Sequence, residues 1–233
     1  MAEELKLRRI ARIYSDFLEK FGIPRQSSLV EELKSTVVFE PDYRDENAVK
    51  GIESYSHLWL IWEFSENERG KWSPTVRPPR LGGNTRMGVF ATRSPFRPNP
   101  IGLSCVRLES VEIHPDKGPV LHIAGADLMD GTPILDIKPY LPYVDSHPEA
   151  CGGFTELTKE YSLDVEIPAL FLEKVPKEKR EALKKVLSQD PRPAYQNDPG
   201  RNYGMSFAGM EIHFQVRDGV LHVTEILNPD ETV

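Results

Sequence analysis

The chain has 233 residues, 28% of them charged and 39% hydrophobic, and a net charge of −7. That length and composition fit one large domain, or one domain with a small second one, burying roughly 70% of the unfolded surface. They exclude a disordered chain, and the acidic balance argues against unspecific nucleic-acid binding.

The first apolar pattern lies at residues 5–21. Ile10, Ile13, Tyr14, Phe17, Leu18 and Phe21 recur at the i, i+3, i+4, i+7 spacing of an amphipathic helix, which is what periodicity alone predicts there. Six shorter runs follow: 35–39, 57–64, 87–92, 103–113, 119–128 and 133–141. They are β-branched or aromatic and separated by Pro, Gly, Asn and Asp, which predicts short strands of an antiparallel barrel or sandwich.

Beyond about 165 the texture changes. Pro176–Asp190 reads as a helix with proline at its start and Pro191 beyond its end. Met210–Val216 and Val220–Ile226 alternate about Asp218-Gly219. This predicts a hairpin pairing Phe214 with Val223 and Val216 with Leu221, with His213 and His222 on the solvent face. The expected class is therefore mainly β, an antiparallel barrel followed by a small α+β unit. The expected divisions are a barrel at 1–145, a linker at 146–164 and the second unit at 165–233.

No run of 18 apolar residues is present, and the N-terminal stretch lacks an apolar core, so neither a membrane helix nor a secretory signal is expected. Cys105 and Cys151 form no Cys-x-x-Cys, and both thiols are expected to be free in a reducing, cytoplasmic setting. The six histidines show no paired metal-ligand spacing, so no metal is expected. Gly83–Gly88 has phosphate-loop spacing without the following Lys-Ser/Thr, and Gly204–Ala208 half-resembles a nucleophile elbow but precedes a hairpin. Both are discounted.

The charge distribution is more informative than its sum. From Arg69 to Leu108 there is no Asp or Glu, yet there are eight bases: Arg69, Lys71, Arg77, Arg80, Arg86, Arg93, Arg97 and Arg107. Stiff Pro-rich loops bearing arginines preorganise an anion site, and a polyanionic partner is one reading. A basic loop face balanced by acids elsewhere is the other. Asp127, Asp130 and Asp136 are close enough in sequence to share a site, although Asp130-Gly131-Thr132 is also a turn signal.

Several segments together resemble one family. They are Pro24-Arg-Gln26, Gly51 to Trp59, Arg77 to Asn84, Gly88 to Ser94, Phe96 to Gly102, Asp127 to Pro133, Asp136 to Pro142 and Asp190-Pro-Arg-Pro-Ala-Tyr195. In these the chain is similar to the TsaA-like, or TrmO, family of S-adenosylmethionine-dependent tRNA methyltransferases acting on N6 of the modified adenosine at position 37. The last segment resembles the longer, bacterial-type members. The stretch between Pro142 and Leu163 aligns with nothing in the family pattern.

The resemblance implies a compact antiparallel barrel, no Rossmann fold, and a strand at Leu7–Tyr14 in place of the periodicity-based helix. It implies a cofactor site at Gln26, Ser27, Ser65, Glu66, Arg93, Leu103, Asp130, Gly131, Thr132 and Pro133. Asp136 and Tyr195 are the leading catalytic candidates, with Asp127 a third possible proton acceptor. Arg77, Arg80, Arg86, Arg97 and Lys138 are the expected contacts to the tRNA anticodon loop or to a threonylcarbamoyl carboxylate. A homodimer is implied as well, and the aromatic cluster Trp59, Trp62, Phe64 and Trp72 agrees with it. Two competing readings are a same-fold methyltransferase on another acceptor and a non-catalytic nucleotide- or metabolite-binding module.

Overall fold

The computed structural model describes residues 5–66, 72–78, 81, 85–157, 161–192, 198 and 200–229. Its strands are β1 (Ala11–Tyr14), β2 (Lys34–Phe39), β3 (His57–Glu63), β4 (Thr75–Val76), β5 (Met87–Gly88), β6 (Ile101–His114), β7 (Gly118–Ala124) and β8 (Pro133–Pro139). Six of them close a barrel in the order β1-β2-β7-β6-β3-β8, and every pairing in it is antiparallel. Alternation decides which side chains go inside. On β3, Leu58, Leu60 and Trp62 point inward, meeting Ala11, Ile13, Val37, Val106, Leu121 and Ile134.

The helix suggested by periodicity at 5–21 does not form. The strand expected at Leu7–Tyr14 does, over Ala11–Tyr14. The apolar stripe there serves two cores. Ala11 and Ile13 fill the barrel, Phe17 enters a second core, and Leu18 stays 63% exposed. The run at 87–92 is likewise not one strand. β5 stops at Gly88 and a 3-10 turn, Val89–Ala91, follows with only Val89 buried.

The second sheet contains β9 (Asp164–Glu166), β10 (Tyr203–Phe207), β11 (Met210–Arg217) and β12 (Val220–Leu227) in the order β10-β11-β12-β9, with β9 parallel to β12. The predicted hairpin register is observed, Phe214 opposite Val223 and Val216 opposite Leu221. Its turn residues Asp218 and Gly219 both have positive φ, 49° and 81°, as a primed two-residue turn requires. Helix α1 (Pro142–Asp145) follows the barrel. Helices α2 (Ala169–Lys174) and α3 (Arg180–Ser188) belong to the second unit. The sheet packs on α3 through Ala182, Leu183, Val186 and Leu187.

This second core is not made by the C-terminal residues alone. Phe17, Val30 and Leu33, from the loop between β1 and β2, complete it, and Phe17 meets Phe207 edge-on at 5.6 Å. Lys179 Nζ donates to both oxygens of Asp16 (2.7 and 2.6 Å), and Lys185 pairs with Glu32. The barrel loop and the C-terminal sheet are therefore packed as one body. Both thiols are free, Cys105 half-buried and Cys151 exposed. No helix among the described residues is long and apolar enough to cross a membrane.

Candidate functional site

A cleft of about 2090 Å³ opens where β3 ends and β6 begins. Its walls are the Pro24–Gln26 loop, Trp62–Glu66, the arginine-bearing segments around Arg77 and Arg86–Arg97, Asp127–Met129 with Thr132, and Gln189–Arg192. Among the described residues seven bases and three acids line it, so their net field is positive even though the chain is acidic.

Asp127 sits at its foot, largely buried. Trp62 Nε1 donates to Ser104 Oγ (3.0 Å), whose hydroxyl donates to Asp127 Oδ1 (2.6 Å). Burial pushes the Asp127 carboxyl above the usual carboxylate range. The Ser104 hydroxyl, the backbone N–H of Ser27 and the charge of Arg93 offset that only in part.

Trp62 can lie there because residue 102, its cross-strand partner, is glycine. A Cβ on Gly102 would stand 2.2 Å from Trp62 Cε2. Gly102→Ala must therefore displace the indole and, with it, Ser104. We expect a loss of about 1–3 kcal/mol, read by denaturant melts, together with weakened activity.

From Asp127 a line of contacts runs to the C-terminal unit. Arg93 Nη1 donates to Gln26 Oε1, and Gln26 Nε2 to the Arg25 carbonyl. Arg25 Nη2 reaches the carbonyl of Arg192 (3.4 Å). Arg192 forks onto Asp190 (Nε to Oδ1 2.8 Å, Nη2 to Oδ2 3.0 Å), and the Tyr161 hydroxyl donates to the same carboxylate (2.9 Å). Burial opposes ionisation of Asp190. The hydrogen bonds from Arg192 and Tyr161 outweigh it and hold the group below its ordinary range. Asp190 ends α3 in the left-handed region, φ 53°, where most helices would place glycine.

Of the residues expected at the site, the cleft gathers Gln26, Ser65, Glu66, Arg93, Leu103, Thr132, Arg77, Arg86 and Arg97. Ser27 takes part through its backbone N–H to Asp127. Asp130 and Gly131 instead face β1. The Asp130 carboxylate accepts from Ser15 N (2.9 Å), and the Gly131 carbonyl accepts from Arg12 (3.1 Å). Pro133 is in the barrel ladder opposite Arg12.

Asp136 and Lys138 are outside the cleft. They pair with each other at 3.0 Å on the solvent face of β8, because the strand shifts register between Ile134 and Asp136: Ile134 lies opposite inward Trp62, whereas Asp136 lies opposite outward Ile61. Asp127, Asp130 and Asp136 thus do not share a site. Arg80 and Tyr195 lie outside the described residues. Among the described residues no group of three His, Cys, Asp or Glu side chains could hold a metal. Trp62, Ser104, Arg25 and Arg192 were not anticipated as site residues. The Pro-Arg-Gln and Asp-Pro-Arg-Pro segments were the available signals for the two arginines.

Residues 12–146 match the tRNA-methyltransferase O N-terminal domain, and residues 160–229 match the TrmO C-terminal domain. The chain belongs to the TrmO family. It is 42% identical to the tRNA (adenine(37)-N6)-methyltransferase of Escherichia coli K12, over 92% of this chain and 94% of that one. It is 46% identical to the enzyme of the same name from Eikenella corrodens, over 75% of this chain and 98% of the relative. A crystal structure of TrmO from Pseudomonas aeruginosa superposes with a TM-score of 0.79 at 32% identity, covering 97% of this chain and 99% of that one.

The donor set in this TrmO-family cleft fits S-adenosylmethionine. Arg93 and the Gln26 amide suit a carboxylate. Trp62, Phe64 and exposed Leu103 offer apolar surface, and Ser65 with Glu66 offers partners for sugar hydroxyls.

Proposed function

We propose that this TrmO-family enzyme methylates N6 of the adenosine at position 37 of tRNA, on the threonylcarbamoyl-modified base, with S-adenosylmethionine as methyl donor. The observation that carries the reading is the buried Asp127 carboxyl at the foot of an arginine-lined cleft, tied through Arg93 to the Gln26 loop. The family match and the names of the relatives support the tRNA adenosine.

S-adenosylmethionine supplies a methyl group on a sulfonium, so in-line placement does much of the catalysis. Arg93 and Gln26 orient one end of the cleft's contents. Asp127, held at Oδ1 by Ser104, takes the proton that N6 loses. Its raised pKa brings it nearer to neutral pH, where a general base is more effective. Arg77, Arg86 and Arg97 line the outer cleft, where they suit phosphates or a threonyl carboxylate. Asp127 replaces Asp136 as the proton acceptor in this reading, because Asp136 lies on the outer face of the barrel. A cytoplasmic homodimer, with the C-terminal unit serving the acceptor side, completes the reading.

The test is methyl transfer to tRNA carrying threonylcarbamoyladenosine and to the same tRNA with plain adenosine, followed by nucleoside mass spectrometry. The expected product is the N6-methylated modified nucleoside, from the modified tRNA alone. Equal methylation of both substrates would rule out recognition of the substituent.

A further inference from the structure

Three large aromatic side chains stand exposed on the acid-free segment: Trp72 (52%), Phe90 (72%) and Phe96 (60%). Isolated exposed aromatics are ordinary, but these are held in place together. The ribbon formed by β4 and β5 brings the segments before and after it side by side, and Val89 N donates to the Pro74 carbonyl (2.9 Å). Val89 is buried and anchors the turn, so its neighbour Phe90 must point out. The rings of Trp72 and Phe90 then lie 6.4 Å apart and 32° from parallel.

Phe96 sits on the next turn. That turn is fixed by Phe96 N donating to Ser94 Oγ (3.2 Å), Arg97 N to the Pro95 carbonyl (2.9 Å) and Arg97 Nη1 to the Thr92 carbonyl (3.2 Å). Phe90 and Phe96 line the mouth of the cleft beside Arg77, Arg86 and Arg97.

We propose that Trp72, Phe90 and Phe96 form a stacking platform for unpaired bases of a single-stranded RNA loop, with the neighbouring arginines on its phosphates. The inference rests on the reading of this chain as a tRNA-modifying enzyme, and it names the form of RNA accepted and the side chains that select it. Charge complementarity identifies the occupant. An apolar peptide has no need of arginines around the rings, whereas a nucleic acid presents anions and flat apolar faces in alternation, matching arginines and rings set side by side. A duplex hides those faces in its own stack, so rings directed to solvent favour a loop whose bases are already splayed.

The experiment measures binding of a fluorescent RNA hairpin with a single-stranded loop, and of the same hairpin with its loop closed by a complementary strand. The proteins are the wild type, Phe90→Ala, Trp72→Ala, Phe96→Ala and the ring-keeping variants Phe90→Tyr and Trp72→Phe. Each alanine variant should weaken loop binding roughly tenfold or more, and the ring-keeping variants should stay near wild type. The closed loop should bind weakly and be indifferent to all the substitutions.

Because the rings are uncharged, the alanine variants should keep the wild-type salt dependence, while Arg86→Ala makes its log–log slope shallower by about 1. The rings are exposed, so thermal melts should be unchanged.

Wild-type loop affinity in the alanine variants overturns the proposal, and so does equal loss in the alanine and ring-keeping variants. Parallel loss of S-adenosylmethionine binding would put the rings in the cofactor pocket instead. A drop in oligomeric mass with loop affinity kept would make the face an interface between copies. A wild-type protein that methylates tRNA while the rings prove silent sinks this inference alone. A wild type inactive on every tRNA sinks the functional reading, whatever the rings do.

Discussion

Asp127→Asn is expected to lose about 10²-fold or more in turnover while making the protein more stable at neutral pH. The two effects have one cause. Burial raises the carboxyl above its ordinary range, so the folded state keeps this proton to higher pH than the unfolded state does. The stability linked to that proton is present at acid pH and is lost as pH rises through the folded pKa. At neutral pH the ionised group is therefore a net cost to folding, tolerated for its chemistry.

Asparagine keeps an Oδ1 to accept from Ser104 and removes the charge. Melting curves should show the variant gaining on the wild type as pH rises above the unfolded carboxyl pKa and through the raised folded one. The acidic limb of the wild-type rate profile should vanish from the residual activity. A variant with wild-type turnover, or one that melts lower than the wild type at the upper pH, would remove Asp127 from the role of base.

Arg192→Ala is expected to cost about 3–5 kcal/mol of unfolding free energy, the range for breaking a buried ion pair on one side. Both partners are 8% exposed, so little solvent screens the carboxylate that is left behind. Arg192→Lys should recover only part of the loss, because an ammonium cannot fork onto both oxygens of Asp190. Asp190→Asn with Arg192→Met should recover more. It leaves no buried charge, and asparagine accepts the left-handed backbone that Asp190 adopts.

The pH dependence follows from the depressed carboxyl. Its contribution is present above the unfolded pKa and is lost as pH falls through the folded one, so the wild type and Arg192→Ala should converge in strong acid. Since Arg25 holds the Arg192 carbonyl and Gln26 holds Arg93, Arg192→Ala should also weaken S-adenosylmethionine binding in calorimetry. Urea melts within about 1 kcal/mol of wild type would show that the pair does not pin this wall of the cleft.

The contrast between the two terminal segments shows where local pattern suffices. The 210–226 hairpin was legible to the residue pair, because a two-residue turn with Asp-Gly leaves one register and alternation leaves one inward face. At 5–21 the same reasoning pointed to a helix, because periodicity assumes that all the apolar residues seek one core. Here Ile13 and Phe17 seek two. The site divides similarly. Arg93, Gln26 and the acid-free segment could be read from motifs and composition. Asp127 and Asp136 stand nine residues apart in neighbouring motifs, and the sequence put Asp136 first.

By itself the sequence determined the barrel class, the family and the Arg-rich face, because composition, alternation and motif residues are properties of short stretches. Only the tertiary structure decided which aspartate lies in the cleft. A bulge in β8 between Ile134 and Asp136 turns Asp136 outward to Lys138, and closure of the barrel buries Asp127 beneath Trp62 and Ser104. Burial is a property of what the rest of the chain packs around a group. It raises the pKa of one carboxyl and leaves the other in solvent, and no spacing along the sequence encodes that difference.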